Sequence, residues 1–173
     1  YLFPTHDKDS LITKIQYQEP FTGVREAWYY NNFMFLAQGV IAEKITGRSW
    51  ENNIRERFFE TLDMSRSNVT IQEMKEASNA AYGYELEDDN SISKMDYYDI
   101  AAMNPAGSIN SSVNDMTKWV KLWINGGKMD STQIIPEAYL SEAISSQMVV
   151  SGALPDTEFP DIFMANYGYA WFI

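Results

Sequence analysis

The segment from residue 30 to residue 50 constrains the fold most strongly, because its apolar side chains recur at steps of three and four residues. This spacing places them on one face of an α-helix, which must pack against a core. The stripe consists of Phe33, Leu36, Ala37, Val40, Ile41 and Ile45. Asn32 is placed to cap the N-terminus, and Gly47 stands just past the last turn, where a left-handed residue commonly ends a helix. The segment therefore predicts one long helix whose entrance is Tyr30-Asn31-Asn32.

Other helix signals recur along the chain. Asp9 is placed to cap a short helix that carries Leu11, Ile12 and Ile15. Ser49 is placed to cap a second long helix with an apolar face, and Thr70 a short one that runs to about Ser78. The face after Ser49 is formed by Trp50, Ile54, Phe58 and Leu62. Helices joined by polar loops are therefore expected over the first half of the chain.

Two more helices are predicted in the second half. Ser112, with Asp115 three residues later, resembles a capping box for a helix that ends at Asn125-Gly126-Gly127. Pro136 suits the first position of a last helix that runs to about Ser146. Residues 79–111 have few periodic apolar positions, so we predict a long loop there. The apolar tail from Ala165 to Ile173 reads as a strand that is frayed, paired between chains, or paired with Val149-Val150.

Composition restricts the classes of function. The 173 residues carry a net charge of −11 and no cysteine, with 45% hydrophobic residues, which is enough to fill a sizeable core. The acidic balance argues against nucleic acid as a partner, and no apolar run is long enough for a membrane span. Neither His6 nor the acidic run Glu85–Asp89 has the spacing of a metal site. We expect no metal and no cofactor.

The helix entrance carries a motif of known chemistry. With Tyr30 and Asn32 as Tyr-x-Asn, then Gly39, Glu43 and the segment Thr46-Gly47-Arg48-Ser49, the run resembles the serine β-lactamase and penicillin-binding-protein-like family. The resemblance is to its class C β-lactamase and D-Ala-D-Ala carboxypeptidase branch. Tyr29-Tyr30-Asn31 also reads as Tyr-x-Asn, but its spacing to Gly39 is one residue too long.

Further segments resemble that family in the right order. Residues 58–64 are similar to its Ile-Phe-x-Pro-Leu-Gly-Met segment, with Asp63 in the glycine position. Residues 104–116 are similar to its Pro-Ala-Gly-Gly-x-x-Ser-Ser-x-x-Asp-Met segment, and residues 167–171 to its Tyr-Gly-x-Gly-Trp. The resemblance implies a mainly α structure, the helical lobe of the β-lactamase/transpeptidase-like α+β fold. Residues 1–173 would be one domain of a larger hydrolase, with a helical lobe over 1–165 and the start of the C-terminal sheet at 166–173.

The family's other motifs are expected outside this sequence. Its nucleophile lies in a Ser-x-x-Lys motif upstream of the tyrosine, and a Lys/His-x-Gly motif follows the Tyr-Gly-x-Gly-Trp strand. Ser91-Ile92-Ser93-Lys94 matches the first pattern, but it follows an acidic, turn-forming stretch and comes after the tyrosine. We interpret it as a solvated loop. The chain alone is therefore expected to be inactive.

The resemblance implies acyl transfer through a serine ester. Tyr30 would share proton transfer with the lysine of Ser-x-x-Lys, and Asn32 would bond the substrate amide and help to hold that lysine. At the positive end of the helix dipole, a Tyr30 phenolate gains only about 0.3–1 kcal/mol. Asn32 has a second interpretation as the helix cap alone. Gly107 and Ser108 either border the cleft and bind substrate or make the turn that starts the next helix.

Two classes of function stay open at this stage. One is the lobe of a serine hydrolase that acts on a β-lactam, a D-amino-acid peptide or an ester. The other is a non-catalytic module that binds a partner or ligand on the same scaffold. The family implies a small-molecule or peptide substrate in the intact protein and a periplasmic or extracytoplasmic location. An apolar seam where the rest of the sheet belongs would favour self-association.

Overall fold

The computed structural model describes residues 7–152, 155 and 157–173, so the interpretation of His6 lies outside the described residues. It confirms a mainly α chain with a few short antiparallel strands. None of the described helices combines the length and the apolar character that a membrane crossing requires. The chain divides into two compact units, each described by itself below. The first comprises the described residues up to Tyr17 together with Asn31–Met116, and the second comprises those of Gln18–Tyr30 and Thr117–Ile173.

The first unit is mostly helical. Its α-helices are α1 (Lys8–Lys14), α2 (Asn32–Thr46), α3 (Trp50–Ile54), α4 (Ile71–Glu76) and α5 (Asn104–Gly107). A π-helical turn, Arg55–Phe59, continues α3, and 3₁₀ turns lie at Ile15–Tyr17 and Ala101–Met103. Strands β1 (Tyr84–Leu86) and β2 (Ile92–Lys94) form an antiparallel hairpin.

Two predicted N-caps are wrong by one or two residues. Asp7, not Asp9, caps α1, since its carboxylate accepts from the N–H groups of Asp9 and Ser10. Asn31, not Asn32, caps α2: its backbone is extended and its Oδ1 accepts from the Phe33 N–H at 2.8 Å. In both cases neighbouring residues are suitable caps by type, and only the backbone conformation decides which one serves.

The corner between α2 and α3 uses the residues of the Glu-x-x-Thr-Gly-x-Ser segment. Gly47 ends α2 at φ +68°, as predicted, and Ser49 caps α3 by accepting from the Asn52 N–H at 3.2 Å. The Glu43 carboxylate accepts from the Trp50 N–H at 2.8 Å, and the Asn53 amide donates to the Thr46 hydroxyl at 2.9 Å. These hydrogen bonds satisfy backbone and side-chain groups that the helix ends would otherwise leave unpaired. Within the first unit the segment therefore has a structural role.

The long loop predicted over residues 79–111 is wrong in part. The β1–β2 hairpin pairs Tyr84 with Lys94, and the 3₁₀ turn and α5 follow it. Periodicity could not reveal the hairpin, because each strand has three residues and neither strand is buried. Thr70 caps α4, as predicted, although that helix ends at Glu76 rather than near Ser78.

A tight contact between α2 and α5 organises the core of the first unit. A Cβ atom on Gly39 would lie 2.3 Å from Cγ of Pro105, so only glycine allows this approach. The buried side chains around this contact are Leu11, Leu36, Val40, Ala102 and Met103. Phe33 and Ala106 pack against the same cluster. The first turn of α2 and the last turn of α5 are thereby held to one core.

The second unit contains the rest of the chain, with α6 (Val113–Ile124) running into it from the first. Its other elements are β3 (Lys128–Met129), β4 (Thr132–Gln133), α7 (Glu137–Ala143), β5 (Met148–Gly152) and β6 (Met164–Tyr167). The predicted α6 is confirmed, with the Ser112 hydroxyl accepting from the Asp115 N–H at 3.2 Å. Pro136 is the N-cap of α7 rather than its first residue.

The C-terminal segment pairs with the strand that precedes it. Strands β5 and β6 are antiparallel, with Val149 opposite Asn166, so the third of the predicted alternatives is the one observed. Gly168 follows β6, and its N–H donates to the Trp171 carbonyl at 2.8 Å. A Cβ atom on Gly168 would lie 2.2 Å from the carbonyl oxygen of Ala143, at the end of α7. The turn can therefore pass α7 only without a side chain at this position.

Candidate functional site

Two adjacent asparagines at the N-terminus of α2 have different environments: one caps the helix and the other has an exposed side chain. Because Asn31 supplies the cap, Asn32 is the first helical residue and its side chain is exposed. Across the described part of the chain, the Asn32 amide has no side-chain hydrogen bond. Capping therefore does not occupy the Asn32 side-chain oxygen, so the interpretation of Asn32 as the helix cap alone is wrong. This geometry leaves the Asn32 amide available to a ligand.

Tyr30 closes the first segment of the second unit, where it lies among aromatic rings. Its side chain is 51% exposed, and its ring centroid lies 6.5 Å from that of Trp28. The Trp28 ring in turn contacts the rings of Tyr167 and Phe172 at 5.3 and 5.7 Å. Tyr167 and Phe172 lie 5.0 Å apart with their planes at 71°, an edge-to-face arrangement that aromatic rings favour. We call Trp28, Tyr167 and Phe172 the aromatic clamp.

The electrostatics of the second unit link Tyr167 to Tyr30. Partial burial raises the pKa of the Tyr167 phenol, and negative charge on the Tyr30 phenolate raises it further. Tyr167 therefore lies close enough to Tyr30 for a charge on one ring to act on the other.

Gly107 and Ser108 lie at the end of α5 in the first unit. Gly107 is exposed, and a Cβ there would meet only Cδ1 of Ile100, at 3.7 Å. Ser108 is buried, and its hydroxyl donates to the Asn104 carbonyl at 3.1 Å. Its contacts are those of a turn residue that leads towards α6. A role in binding substrate stays a prediction for both residues.

A buried carboxylate holds the segment that follows. Asp115 is 3% exposed, and its Oδ2 accepts from the Arg66 N–H and the Ser67 hydroxyl, both at 2.8 Å. The Ser67 and Ser111 hydroxyl oxygens lie 2.8 Å apart. Asn110 and Asn68 add a pair of backbone hydrogen bonds. These contacts fix the chain between α5 and α6 against residues 66–68.

The Glu51 carboxylate binds the first residue of α5. It accepts from the Asn104 amide at 2.9 Å. Burial alone would raise the pKa of Glu51, but this hydrogen bond, together with its other hydrogen bonds and the charge of Lys8, lowers it below the usual value. An ionised Glu51 therefore orients Asn104, whose carbonyl accepts from Ser108.

The internal Ser-x-x-Lys sequence lies in the β1–β2 hairpin. Ser91 is exposed and is tied to the turn by a hydrogen bond from its N–H to the Asp89 carboxylate at 2.9 Å. Lys94 lies over the ring of Tyr82, 3.3 Å from its centroid. A nucleophile motif needs its serine and lysine on one helical turn beside a cleft, and the hairpin does not provide this geometry. Ser91, Ile92 and Lys94 are exposed, as the interpretation as a solvated segment expects, but Ile92–Lys94 form strand β2 rather than a loop.

Tyr30 carries a phenol and Asn32 an exposed amide, and in the sequence they flank Asn31, the cap residue of α2. Among residues 7–152, 155 and 157–173, no group of histidine or carboxylate side chains is arranged to hold a metal ion. The catalytic role of Tyr30 and the substrate-binding role of Asn32 stay predictions. Sequence reasoning missed the aromatic clamp, because periodicity cannot detect contacts between Trp28 and a strand far along the chain.

Comparison with known proteins agrees with this architecture. The Beta-lactamase family model matches residues 2–173. Gigasin-6 of Magallana gigas is 25% identical over 128 residues, which are 72% of this chain and 42% of that protein. The chain thus spans less than half the length of the curated relative that it matches.

Solved structures share the fold. The octameric penicillin-binding protein homologue from Pyrococcus abyssi superposes with a TM-score of 0.76 at 23% identity, covering 98% of this chain and 36% of that one. A D-stereospecific amidohydrolase from Streptomyces sp. superposes with a TM-score of 0.66 at 18% identity, covering 90% of this chain and 42% of that one. The helical lobe predicted from the motifs is thereby confirmed. The chain belongs to the Beta-lactamase family of serine hydrolases, whose helical lobe it forms.

Proposed function

We propose that this chain supplies the proton-transfer and amide-binding groups of a serine hydrolase that works through an acyl-enzyme. The observation that supports this assignment is that different asparagines cap α2 and expose an amide at its N-terminus. Asn31 caps the helix, and Asn32 keeps an exposed amide without a side-chain partner in the described structure. Tyr30 stands immediately before the cap with half of its side chain exposed. The remaining catalytic groups would come from protein outside these 173 residues.

The proposed reaction has two stages. The serine of a Ser-x-x-Lys motif loses its hydroxyl proton to the Tyr30–lysine pair as its oxygen attacks the substrate carbonyl. The proton passes to the leaving nitrogen or oxygen as the bond to the carbonyl carbon breaks, which leaves an acyl-serine. Water then attacks this ester and gives a proton to the same pair, which returns it to the serine oxygen as the ester bond breaks and the acid is released. Asn32 donates to the carbonyl of the substrate amide and helps to hold the lysine.

The substrate class is a β-lactam, a D-amino-acid peptide or amide, or an ester. The chain is similar to a penicillin-binding protein homologue and to a D-stereospecific amidohydrolase, which supports the first two classes without deciding between them. The 173-residue chain alone is expected to hydrolyse none of them above the buffer rate. Saturable hydrolysis of nitrocefin by the pure chain, abolished by Tyr30→Phe, would overturn this expectation.

The experiment compares two tyrosines in the product of the complete reading frame. Turnover of penicillin, D-phenylalanine p-nitroanilide and p-nitrophenyl acetate is measured for wild type, Tyr30→Phe and Tyr29→Phe. General acid–base catalysis typically contributes about 10²- to 10⁴-fold, so Tyr30→Phe should lose activity by that factor. Tyr29→Phe is the matched control, because it keeps the ring that packs 4.8 Å from Phe21 and removes only the hydroxyl. Equal activity of the two variants would contradict the assignment.

The asparagines allow a second comparison. Asn32→Ala should lower kcat/KM while leaving the helix cap intact. Asn31→Ser should preserve activity, because serine caps helices about as well as asparagine. If Asn31→Ser lost activity and Asn32→Ala did not, the substrate contact would belong to Asn31, and the assignment to Asn32 would be contradicted. A reading frame without an upstream Ser-x-x-Lys would instead support the non-catalytic binding module.

A further inference from the structure

Trp28 is held between two residues of the C-terminal segment. Its ring packs against Tyr167, the last residue of β6, and against Phe172, which lies beyond the following turn. Tyr167 and Phe172 are themselves joined by an isolated antiparallel bridge between their backbones. The clamp thus consists of two side chains with a fixed spacing and the indole ring they contact.

The backbone next to Trp28 is irregular. Residues 28–30 belong to no helix and no strand, so the hydrogen bonds of regular structure do not set their position. The Trp28 side chain is half-buried, whereas Tyr29 and Tyr30 are exposed. Within the second unit, ring packing therefore restrains the segment that ends at Tyr30.

Tyr30 also contacts the clamp through its own ring. The Tyr30 and Trp28 centroids lie 6.5 Å apart at an interplanar angle of 55°, within the range in which aromatic rings attract each other. Tyr30 is thus located both by its chain connection to Trp28 and by the Trp28 ring. A displacement of about 1 Å in a catalytic group can lower a rate by about 10²-fold, so this restraint is relevant to catalysis.

We infer that Trp28 is a positioning residue, through which the β5–β6 hairpin and the Phe172 segment fix the location of the Tyr30 phenol. This inference rests on the proposed function for its effect on catalysis, but not for its effect on the Tyr30 ring. Trp28 links Tyr30 to Tyr167, because its ring packs against both. These two tyrosines are far apart in the sequence.

The first test uses the 173-residue chain and requires no activity. Tyrosines are labelled with ¹³C at Cζ, and the Tyr30 signal, assigned with Tyr30→Phe, is compared among wild type, Trp28→Ala, Trp28→Phe and Phe172→Ala. Loss of the indole should shift and broaden the Tyr30 signal, and Trp28→Phe should restore most of the original position. Phe21→Ala is the matched control, since its ring packs on Tyr29, and it should leave the Tyr30 signal in place.

Phe172→Ala keeps the test decisive if Trp28→Ala does not fold. It removes one side of the clamp from a position distant in sequence, and it should also move the Tyr30 signal. An unchanged Tyr30 signal in a folded Trp28→Ala or Phe172→Ala chain would overturn the inference.

The second test measures catalysis by the product of the complete reading frame. Trp28→Ala should lower kcat about 10- to 100-fold with KM changed less than about threefold, and Trp28→Phe should recover most of the loss. If Trp28 had only a structural role, Trp28→Ala would lower the fraction of active protein. Trp28→Phe would then not restore kcat in variants of equal stability. If Tyr30→Phe retains full activity, the proposed function fails, and the Tyr30 signal in the shorter chain still decides the clamp.

Discussion

At the scale of single residues, two positions carry backbone strain that the family avoids with glycine. Asp63 has φ +53° and Ala170 has φ +62°, and both stand where the resembling family segments have glycine. A residue with a Cβ pays about 1–2 kcal/mol for a left-handed conformation, although aspartate tolerates it better than alanine. The fold therefore imposes the glycine-like conformation even where the side chain opposes it.

Ala170→Gly is accordingly expected to raise the free energy of unfolding by about 0.5–1 kcal/mol. The relief of strain at φ +62° exceeds the added conformational entropy of glycine in the unfolded chain. Urea denaturation followed by tryptophan fluorescence measures the change. Ala138→Gly, at an exposed position of α7, is the control, and it should lower stability by about 0.5–1 kcal/mol. A loss of stability in both variants would contradict the account of Ala170.

At the scale of elements, the end of β6 can approach the end of α7 closely because Gly168 has a hydrogen atom in place of a side chain. Gly168→Ala should lower the free energy of unfolding by about 1–3 kcal/mol, because its Cβ would lie 2.2 Å from a backbone carbonyl that cannot rotate away. Gly152→Ala, whose Cβ would have no atom of the described residues within 4 Å, is the matched control and should be neutral or stabilising by up to about 1 kcal/mol. Equal effects in chemical denaturation would show that the close approach is relieved at little cost.

Helix α4 is tied to the π-helical turn by a carboxylate whose charge matters. Burial alone would raise the pKa of Glu73, but hydrogen bonds from the Thr70 hydroxyl, the Arg55 guanidinium and the Val69 N–H lower it below the usual 4.5. A depressed folded-state pKa gives stability that is present above the unfolded value and is lost as the pH falls through the folded value.

Stability should therefore fall as the pH decreases from the usual value of 4.5 through the lower folded-state pKa of Glu73. Glu73→Gln should be less stable at pH 7 and should show a shallower decline over the acidic range, because the group that takes up the proton is absent. Urea denaturation from pH 7 to pH 3 measures both curves. Parallel curves for the two proteins would place the acid sensitivity elsewhere.

The sequence predicts elements better than their contacts. The helices α2 and α6 follow from long periodic stripes and clear end signals, and Ser49, Thr70 and Ser112 cap helices as their types suggest. The π-helical turn after α3 and the three-residue strands lie below the length at which a period is detectable. The choice of Asn31 over Asn32 depends on backbone angles that neighbouring, identical side chains cannot encode.

The candidate site shows the same division. A motif with its spacing selects Tyr30 and Asn32 as candidates, and their roles stay predictions. The contacts of Trp28 could not be predicted from the sequence, because the rings that clamp it come from the far end of the chain. The sequence leaves the role of Ser108 open; its hydroxyl donates to the Asn104 carbonyl, and a role in binding substrate stays a prediction.

At the scale of the whole molecule, this chain is one lobe of a larger architecture. Its superposition on the Pyrococcus abyssi protein includes 98% of this chain but only 36% of that protein. Acyl transfer needs a nucleophile, a proton-transfer group and donors for the developing negative charge held together. We propose that this lobe brings the proton-transfer group, which is useful only when the serine and lysine are supplied beside it.

The most direct test is the intact mass of the complete gene product after brief incubation with an acylating substrate. Penicillin, a D-phenylalanine ester and p-nitrophenyl acetate cover the proposed classes. The account predicts an acyl adduct on the serine of an upstream Ser-x-x-Lys, forming about 10²- to 10⁴-fold more slowly in Tyr30→Phe and at the normal rate in Tyr29→Phe. A frame that lacks this serine, or an adduct that forms equally fast in Tyr30→Phe, would contradict the central role of Tyr30.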